Sequence, residues 1–396
     1  MISVYDHEIT KKGCNCKIFF LVLLGSLPTH KNHFQLETSK GVQRIGKIRI
    51  KDIAEIANVS IGTVDRVIHN RGEVSDSTRA RVKKILEDYN YSPDVIASSL
   101  ALKREIRLAV VMPRFVNDHV FWKLPQDGIN KAVEELGHFN MSVESHYFDQ
   151  DQVSDFVRLT SSLPWERYHG VLFAPVFQKE SVSFVEKCHQ LNVPVVLFNS
   201  MLEGTTASSY VGQDAFQSGY VAAKLINYGM EPRRDVAIVN ISSRSDHYTH
   251  ITNREKGFRS YFEEHSGRIE HLVTLNLNGQ DDRRLFSNLQ ETFDAFNIAG
   301  LFVTNSRVYK VADFLAGRGL MNIRLVGYDL LPESVDFLQR EYIDFLLSQQ
   351  PEVQSYKGLN TLFYLVAFSR KPPEKQMMPI DIITRENLKY YLTQTT

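Results

Sequence analysis

Residues 49–71 read RIKDIAEIANVSIGTVDRVIHNR. Ile50, Ile53, Ala54, Ile56 and Ala57 recur at helical spacing and predict one apolar stripe. Asn58 ends it, being a residue that tolerates left-handed backbone in a turn. Ser60 then suits the cap of a second helix that turns Val64, Val67 and Ile68 inward. Ile61, Gly62, Thr63, Asp65 and Arg66 are left on the outer side. Two short helices, the second presenting small and polar groups, describe a helix-turn-helix whose second helix fits the DNA major groove. An ordinary αα-hairpin is the alternative on this segment alone.

The following residues narrow the choice. Val74-Ser75-Asp76-Ser77-Thr78-Arg79 predicts a third helix capped by Ser75, with Val82, Ile85, Leu86 and Tyr89 on its buried face. Tyr91-Ser92-Pro93 and DVIASSLALKR come next. The run from Ile50 to Arg104 resembles the headpiece and hinge of the lactose-repressor (LacI) family, almost without a gap. The VS cap, the TV-x-R helix, the VS-x-x-TR start, the NY-x-P link and the L-A hinge stand in the family's order and spacing. The resemblance implies DNA contacts at Ser60, Ile61, Gly62, Thr63, Asp65, Arg66, Asn70 and Arg79. It also implies hinge contacts at Ala97 and Leu100, the leucine wedging into the minor groove.

Length and composition agree with several packed units. A chain of 396 residues exceeds one core. Hydrophobic content of 43% and charge of 23% are globular values. The formal net charge is zero, so any electrostatic footprint for DNA must be local. Residues 47–104 carry 11 Lys or Arg against 8 Asp or Glu, including Arg66, Arg71, Arg79, Arg81, Lys83 and Lys84. Cys14, Cys16 and Cys188 give no disulfide framework, which fits a reducing cytoplasm. No metal or cofactor constellation is present in the sequence pattern. In residues 1–46, Lys11-Lys12 precedes the apolar run Ile18 to Leu24. Seven apolar residues are too few to span a bilayer, so a poorly ordered leader is expected, with membrane tethering as the alternative.

The rest of the chain alternates apolar runs with helical patterns. Strands are predicted at Ile106–Met112, Met141–Tyr147, Gly170–Ala174, Val193–Phe198, Val236–Ile241, Ile269–Leu275, Gly300–Thr304 and Ile323–Tyr328. Helices are predicted between them, as at Phe121–Leu136, Asp214–Tyr228, Arg254–Glu264, Arg307–Arg318 and Glu352–Phe368. This rhythm implies an α/β fold of doubly wound parallel sheets, too many strands for one sheet of flavodoxin size. By resemblance it is the two-lobed, periplasmic-binding-protein-like effector domain of LacI regulators. The expected organisation is a leader (1–46), an all-α headpiece (47–92), a hinge (93–104) and a two-lobed domain (105–396). The first lobe is expected at about 105–211 and 350–378, and the second at about 212–349 and 379–396.

Polar residues at predicted strand ends mark a cleft between such lobes. In the resemblance, Arg254 of TNREKGF grips the ligand and Asp329 of LVGYDLL places its carboxylate on ligand hydroxyls. Asn305, Gln349 and Asn199 would add neutral hydrogen bonds, with Asn199 standing where the family more often has Asp. Phe121 and Trp122 offer flat rings for the C–H face of a sugar. Arg254 and Asp329 could instead pair and simply hold the lobe together. GxSxG, GxxxxGK[ST] and GxGxxG motifs are missing where catalysis would need them. The reading is a regulator without catalytic activity. It binds pseudo-palindromic operator DNA as a homodimer and responds to a small effector, most simply a carbohydrate. A solute-binding receptor and a sugar-modifying enzyme are the other classes. The receptor would leave the helix-turn-helix unexplained, and so would the enzyme.

Overall fold

The computed structural model describes residues 48–68, 72, 74–89, 105–115, 120–242 and 249–392. The expected leader, the hinge, and Asn70, Ala97 and Leu100 lie outside the described residues.

The N-terminal part is a three-helix unit: α1 (Ile50–Ile56), α2 (Ile61–Ile68) and α3 (Asp76–Asp88). Its small core is built by Ile53, Ala54, Ala57, Val64, Val67 and Val82. Asn58 turns the chain with φ +50°. Ser60 Oγ accepts from the Thr63 N–H at 3.1 Å and so caps α2. Ser75 caps α3 in the same way, accepting from Thr78 N. Two apolar residues depart from the expected faces. Ile56 is 47% exposed and Tyr89 is 54% exposed. The stripe of α1 closes on positions 50, 53, 54 and 57, and Ile56 falls about 100° away from its centre line. Tyr89 is the C-cap of α3, past the last turn that packs.

The larger part contains two six-stranded sheets. The first sheet uses β1 (Ile106–Pro113), β2 (Met141–Phe148), β3 (Gly170–Phe173), β4 (Val195–Phe198), β5 (Ser209–Gly212) and β11 (Lys375–Met377). Its order is β11-β5-β4-β3-β1-β2. The second uses β6 (Arg234–Ile241), β7 (Ile269–Leu277), β8 (Ile298–Val303), β9 (Arg324–Tyr328), β10 (Phe345–Ser348) and β12 (Asp381–Ile383). Its order is β12-β10-β9-β8-β6-β7. The orders correspond strand for strand, so the lobes are two versions of one doubly wound design. Every pairing is parallel except β10 with β12, which is antiparallel. The expectation of wholly parallel sheets is corrected at that edge. The short strands β5, β10, β11 and β12 lie outside the expected set, because their three or four residues stand in no longer apolar run such as those that carry β3 and β4.

Continuous apolar runs such as Leu108–Met112 and Val236–Val239 are fully buried, because helices cover both faces of each sheet. On the first lobe, α4 (Lys123–Glu135) and α12 (Pro351–Phe368) pack on one face. On the second, α7 (Ala215–Asn227) lies against α8 (Thr249–Glu264). Two glycines let these helices touch backbone to backbone. A Cβ on Gly219 would lie 1.9 Å from the Arg254 carbonyl oxygen. A Cβ on Gly257 would lie 1.8 Å from the Phe216 carbonyl oxygen.

The chain crosses between the lobes three times, after β5, after β10 and after β11. Gln213, in the first crossing, donates through Nε2 to Ser348 O at 2.7 Å and to Pro379 O at 2.6 Å. One buried amide thus ties all three crossings together.

Candidate functional site

In the helical unit, α2 presents Ile61 at 48% exposure, with Gly62 and Arg66 also exposed. Thr63 and Asp65 are half-buried at the edge of the same face. The Thr63 and Ser60 hydroxyls lie 2.9 Å apart. The stem of Arg66 passes over Gly72, whose φ is +66°. Arg79 is half-buried on the first turn of α3. The exposed side of α2 therefore holds one apolar group, one backbone-bare position and one guanidinium. Its other side carries Val64 and Val67 into the core.

In the larger part, a cleft of about 900 Å³, part of it open to solvent, lies between the lobes at the carboxyl ends of the strands. It brings together Phe121, Trp122, Asn199, Arg254, Asn305 and Gln349. These residues come from positions as far apart as 121 and 349. Each follows or flanks a strand end, and topology alone carries them to one place.

Arg254 is 3% exposed. It sits in the second turn of α8, which starts at Thr249 rather than at Arg254 as expected. The polar onset Thr249-His250 carries no apolar period that would have marked the start. The Arg254 guanidinium donates from Nη1 to Thr304 O at 2.7 Å and from Nη2 to Gln349 Oε1 at 2.5 Å. It also stacks 3.6 Å from the centre of the Tyr328 ring.

Asp329 is placed differently from the expectation. It is 1% exposed and does not line the cleft. Its two oxygens accept from the backbone N–H of Gln349 at 3.3 Å and from Gln349 Nε2 at 2.7 Å. The carboxylate supports Gln349 from behind. Burial pushes its pKa up to about 6, although the Arg254 charge pulls the other way. Nor does Asp329 pair directly with Arg254: Gln349 stands between them.

Trp122 is buried in the first-lobe core, and its Nε1 donates to Gln150 Oε1 at 2.7 Å. It meets Phe121 edge-on, with centroids 5.1 Å apart. Phe121 is the less buried ring of the two. Asn199 turns at φ +67°, and its N–H donates to Gln354 Oε1 at 3.0 Å. Asn305 donates through Nδ2 to Ile241 O at 2.6 Å and accepts from Arg307 N at 3.1 Å.

The cleft also holds residues that the sequence reading missed, among them Gln150, Ser200, His250, Arg307 and Glu333. His250 lies opposite Ser200 of the first lobe, its Nδ1 3.1 Å from Ser200 Oγ. Burial, reinforced by the Arg254 charge, pushes the imidazole down to about 3, so it is neutral near pH 7. Beside it, Thr249 Oγ1 donates to Gln178 Oε1 at 2.7 Å, a second bond across the two lobes. Gln178 begins helix α6 (Gln178–Gln190). Among the described residues, no group of three or more His, Cys, Asp or Glu could hold a metal ion. No helix among them is long and apolar enough to cross a membrane.

Two family models match this chain. Residues 49–94 match that of bacterial regulatory proteins of the lacI family. Residues 108–370 match that of a periplasmic binding protein domain. The HTH-type transcriptional regulator DegA of Bacillus subtilis is 30% identical over 72% of this chain and 82% of its own length. The sucrose operon repressor of Lactococcus lactis is 26% identical over 77% and 88%. A solved structure from Bacteroides fragilis, assigned as a LacI transcriptional regulator, superposes with a TM-score of 0.68 at 28% identity. It covers 73% of this chain and all of that one. A glucose-galactose binding protein from Geobacillus stearothermophilus shares the fold alone, with a TM-score of 0.63 at 18% identity over 72% of this chain and 99% of its own.

Proposed function

The chain belongs to the LacI family of bacterial regulatory proteins and is a DNA-binding transcriptional regulator, and from that premise we propose that a sugar or sugar derivative, bound between its lobes, controls its hold on operator DNA. The observation that carries the reading is the cleft. Arg254, Gln349 and Asn305 face it from the second lobe, and Asn199, Gln150 and Phe121 from the first. Guanidinium and amide groups around an aromatic ring suit a ligand with alternating hydroxyls and C–H faces.

The regulator works as a homodimer on a pseudo-palindromic site in the cytoplasm. A helix-turn-helix reads a half-site, and two-fold pairing presents two of them. The effector acts by population shift: it binds one lobe arrangement more tightly and biases the headpieces toward or away from DNA. Arg254, Gln349, Asn305, Asn199 and Phe121 contact it directly. Asp329 acts through Gln349.

The test is a thermal-shift screen of the full chain against monosaccharides and their derivatives. A ligand at 100 times its dissociation constant adds roughly 2.7 kcal/mol of stability. The hit is then titrated into an operator-binding assay. A ligand that stabilises the protein yet leaves operator affinity untouched would refute the regulatory link. Light scattering that shows a monomer at micromolar concentration would refute the dimer.

A further inference from the structure

The second-lobe wall of the cleft carries two guanidiniums tied to neighbouring strand ends. Arg254 donates to Thr304 O, just past β8. Arg307 lies three residues further on, at the N-cap of helix α10 (Val308–Ala316). Its Nη1 reaches Ile241 O, the last residue of β6, at 3.5 Å, and its own N–H is held by Asn305. Gly279 makes room for it, since a Cβ there would lie 2.6 Å from Arg307 Nη1. Both arginines therefore donate to the carboxyl ends of two strands that pair with each other, β8 and β6, and both line the cleft.

Negative charge facing the cleft is scarcer. Glu333 is the one carboxylate among the described residues that line it. Asp329 spends both oxygens on Gln349 and is turned away. Among the described residues no carboxylate lies within ion-pair distance of Arg254, although Arg254 is buried. A buried cation without a direct counter-ion is costly and favours an arriving anion. A planar guanidinium matches a carboxylate or a phosphate with two parallel hydrogen bonds.

We propose that the effector is an acidic sugar, carrying a carboxylate or a phosphate that Arg254 and Arg307 receive together. The proposal rests on the sugar reading above and sharpens it to a charge class. It makes Arg307 the residue that separates acidic from neutral ligands.

The experiment uses the full chain at 150 mM salt. D-galacturonate, D-glucuronate, D-glucose 6-phosphate, D-galactose and D-glucose are titrated by thermal shift and calorimetry. Sodium acetate and inorganic phosphate serve as plain-anion controls. Expected is stabilisation by at least one acidic sugar and at least tenfold weaker binding of its neutral parent. Carboxylate and phosphate arms tell which anion is read. Arg307→Gln should erase that preference, and Arg307→Lys should keep part of it. A neutral sugar binding as tightly as its acid would overturn the charge class and leave the sugar reading standing. Equal stabilisation by acetate or phosphate alone would overturn the charge class too. No response to any monosaccharide would overturn both readings. Should Arg307→Gln fail to fold, the parent panel still decides the charge class, and Arg307→Lys decides the residue.

Discussion

Arg254 donates through Nη2 to Oε1 of Gln349, 95 residues further along the chain. The same amide donates from its nitrogen to Asp329, so one side chain mediates between a buried cation and a buried acid. Gln349→Leu keeps the volume and removes both hydrogen bonds. Each stranded polar group costs about 1–3 kcal/mol. The melting temperature should fall clearly in this variant, measured without any ligand. Arg254→Ala should likewise lower stability, because it leaves Thr304 O and Gln349 Oε1 without their donor. An unchanged melting temperature in both variants would show that this trio holds nothing together.

Asp329 and His250 give opposite pH slopes. Asp329 has a pKa of about 6, above its ordinary value near 3.8. The native protein therefore binds more protons than the unfolded chain between about pH 4 and 6, and stability falls as pH rises through that window. His250 is pushed down to about 3 from 6.5. Here the unfolded chain binds more protons, and stability rises with pH up to about 6.5. Asp329→Asn should remove the first slope. Denaturant unfolding of parent and variant at pH 4.5 and 6.5 measures the difference. Relative to the parent, the variant should gain stability as pH rises. A constant offset would contradict the assignment.

Gly257 belongs to the sequence motif around Arg254, and its place against Phe216 explains why a side chain is excluded there. Gly219→Ala or Gly257→Ala must push α7 and α8 apart. Overpacking of this kind costs typically about 1–3 kcal/mol. It should also displace Arg254, since the Gly219 contact is with the Arg254 carbonyl itself. Ligand affinity should fall together with thermal stability. A stable variant with full affinity would show that the helix contact does not position Arg254.

Ser200–His250 and Thr249–Gln178 bridge the lobes beside the cleft. Ser200→Ala combined with Thr249→Val removes one hydroxyl partner from each bridge. The unliganded protein should then shift toward an open form, read as a larger radius of gyration in X-ray scattering. Identical scattering curves would exclude these bonds as determinants of closure.

On the DNA side, Arg66 is the exposed cation of α2. Arg66→Ala should weaken specific binding by about 1–3 kcal/mol at fixed salt. An unchanged affinity for operator would remove α2 as the reading helix.

Much of this was legible in the sequence for a definite reason. Strong periodicity exposes long strands such as Ile106–Pro113, and cap chemistry exposes Ser60 and Ser75. Asn305 could be placed because polar residues directly after apolar strands converge in this kind of sheet, whereas Arg254 and Gln349 were carried by the resemblance of their segments to the family. Asp329 satisfies the same rule yet faces away, since the sequence cannot tell which of two adjacent acceptors meets the cleft. His250, Gln150 and Ser200 escaped because each reaches the cleft only when two lobes meet. Arg307 escaped because a helix-start arginine is ordinarily a surface residue, and only the space at Gly279 makes it part of the wall.

Gln213 has a mechanical consequence. Its amide pins the second and third crossings to the first at distances of 2.7 and 2.6 Å. A pinned line cannot stretch without losing those bonds, but it can twist. The lobes then behave as two levers on one axle: atoms near the axle barely move, while those at the far rims sweep the widest arc. Chemistry at the cleft supplies the torque, and the distance from Gln213 sets how large a displacement each point on the surface reports.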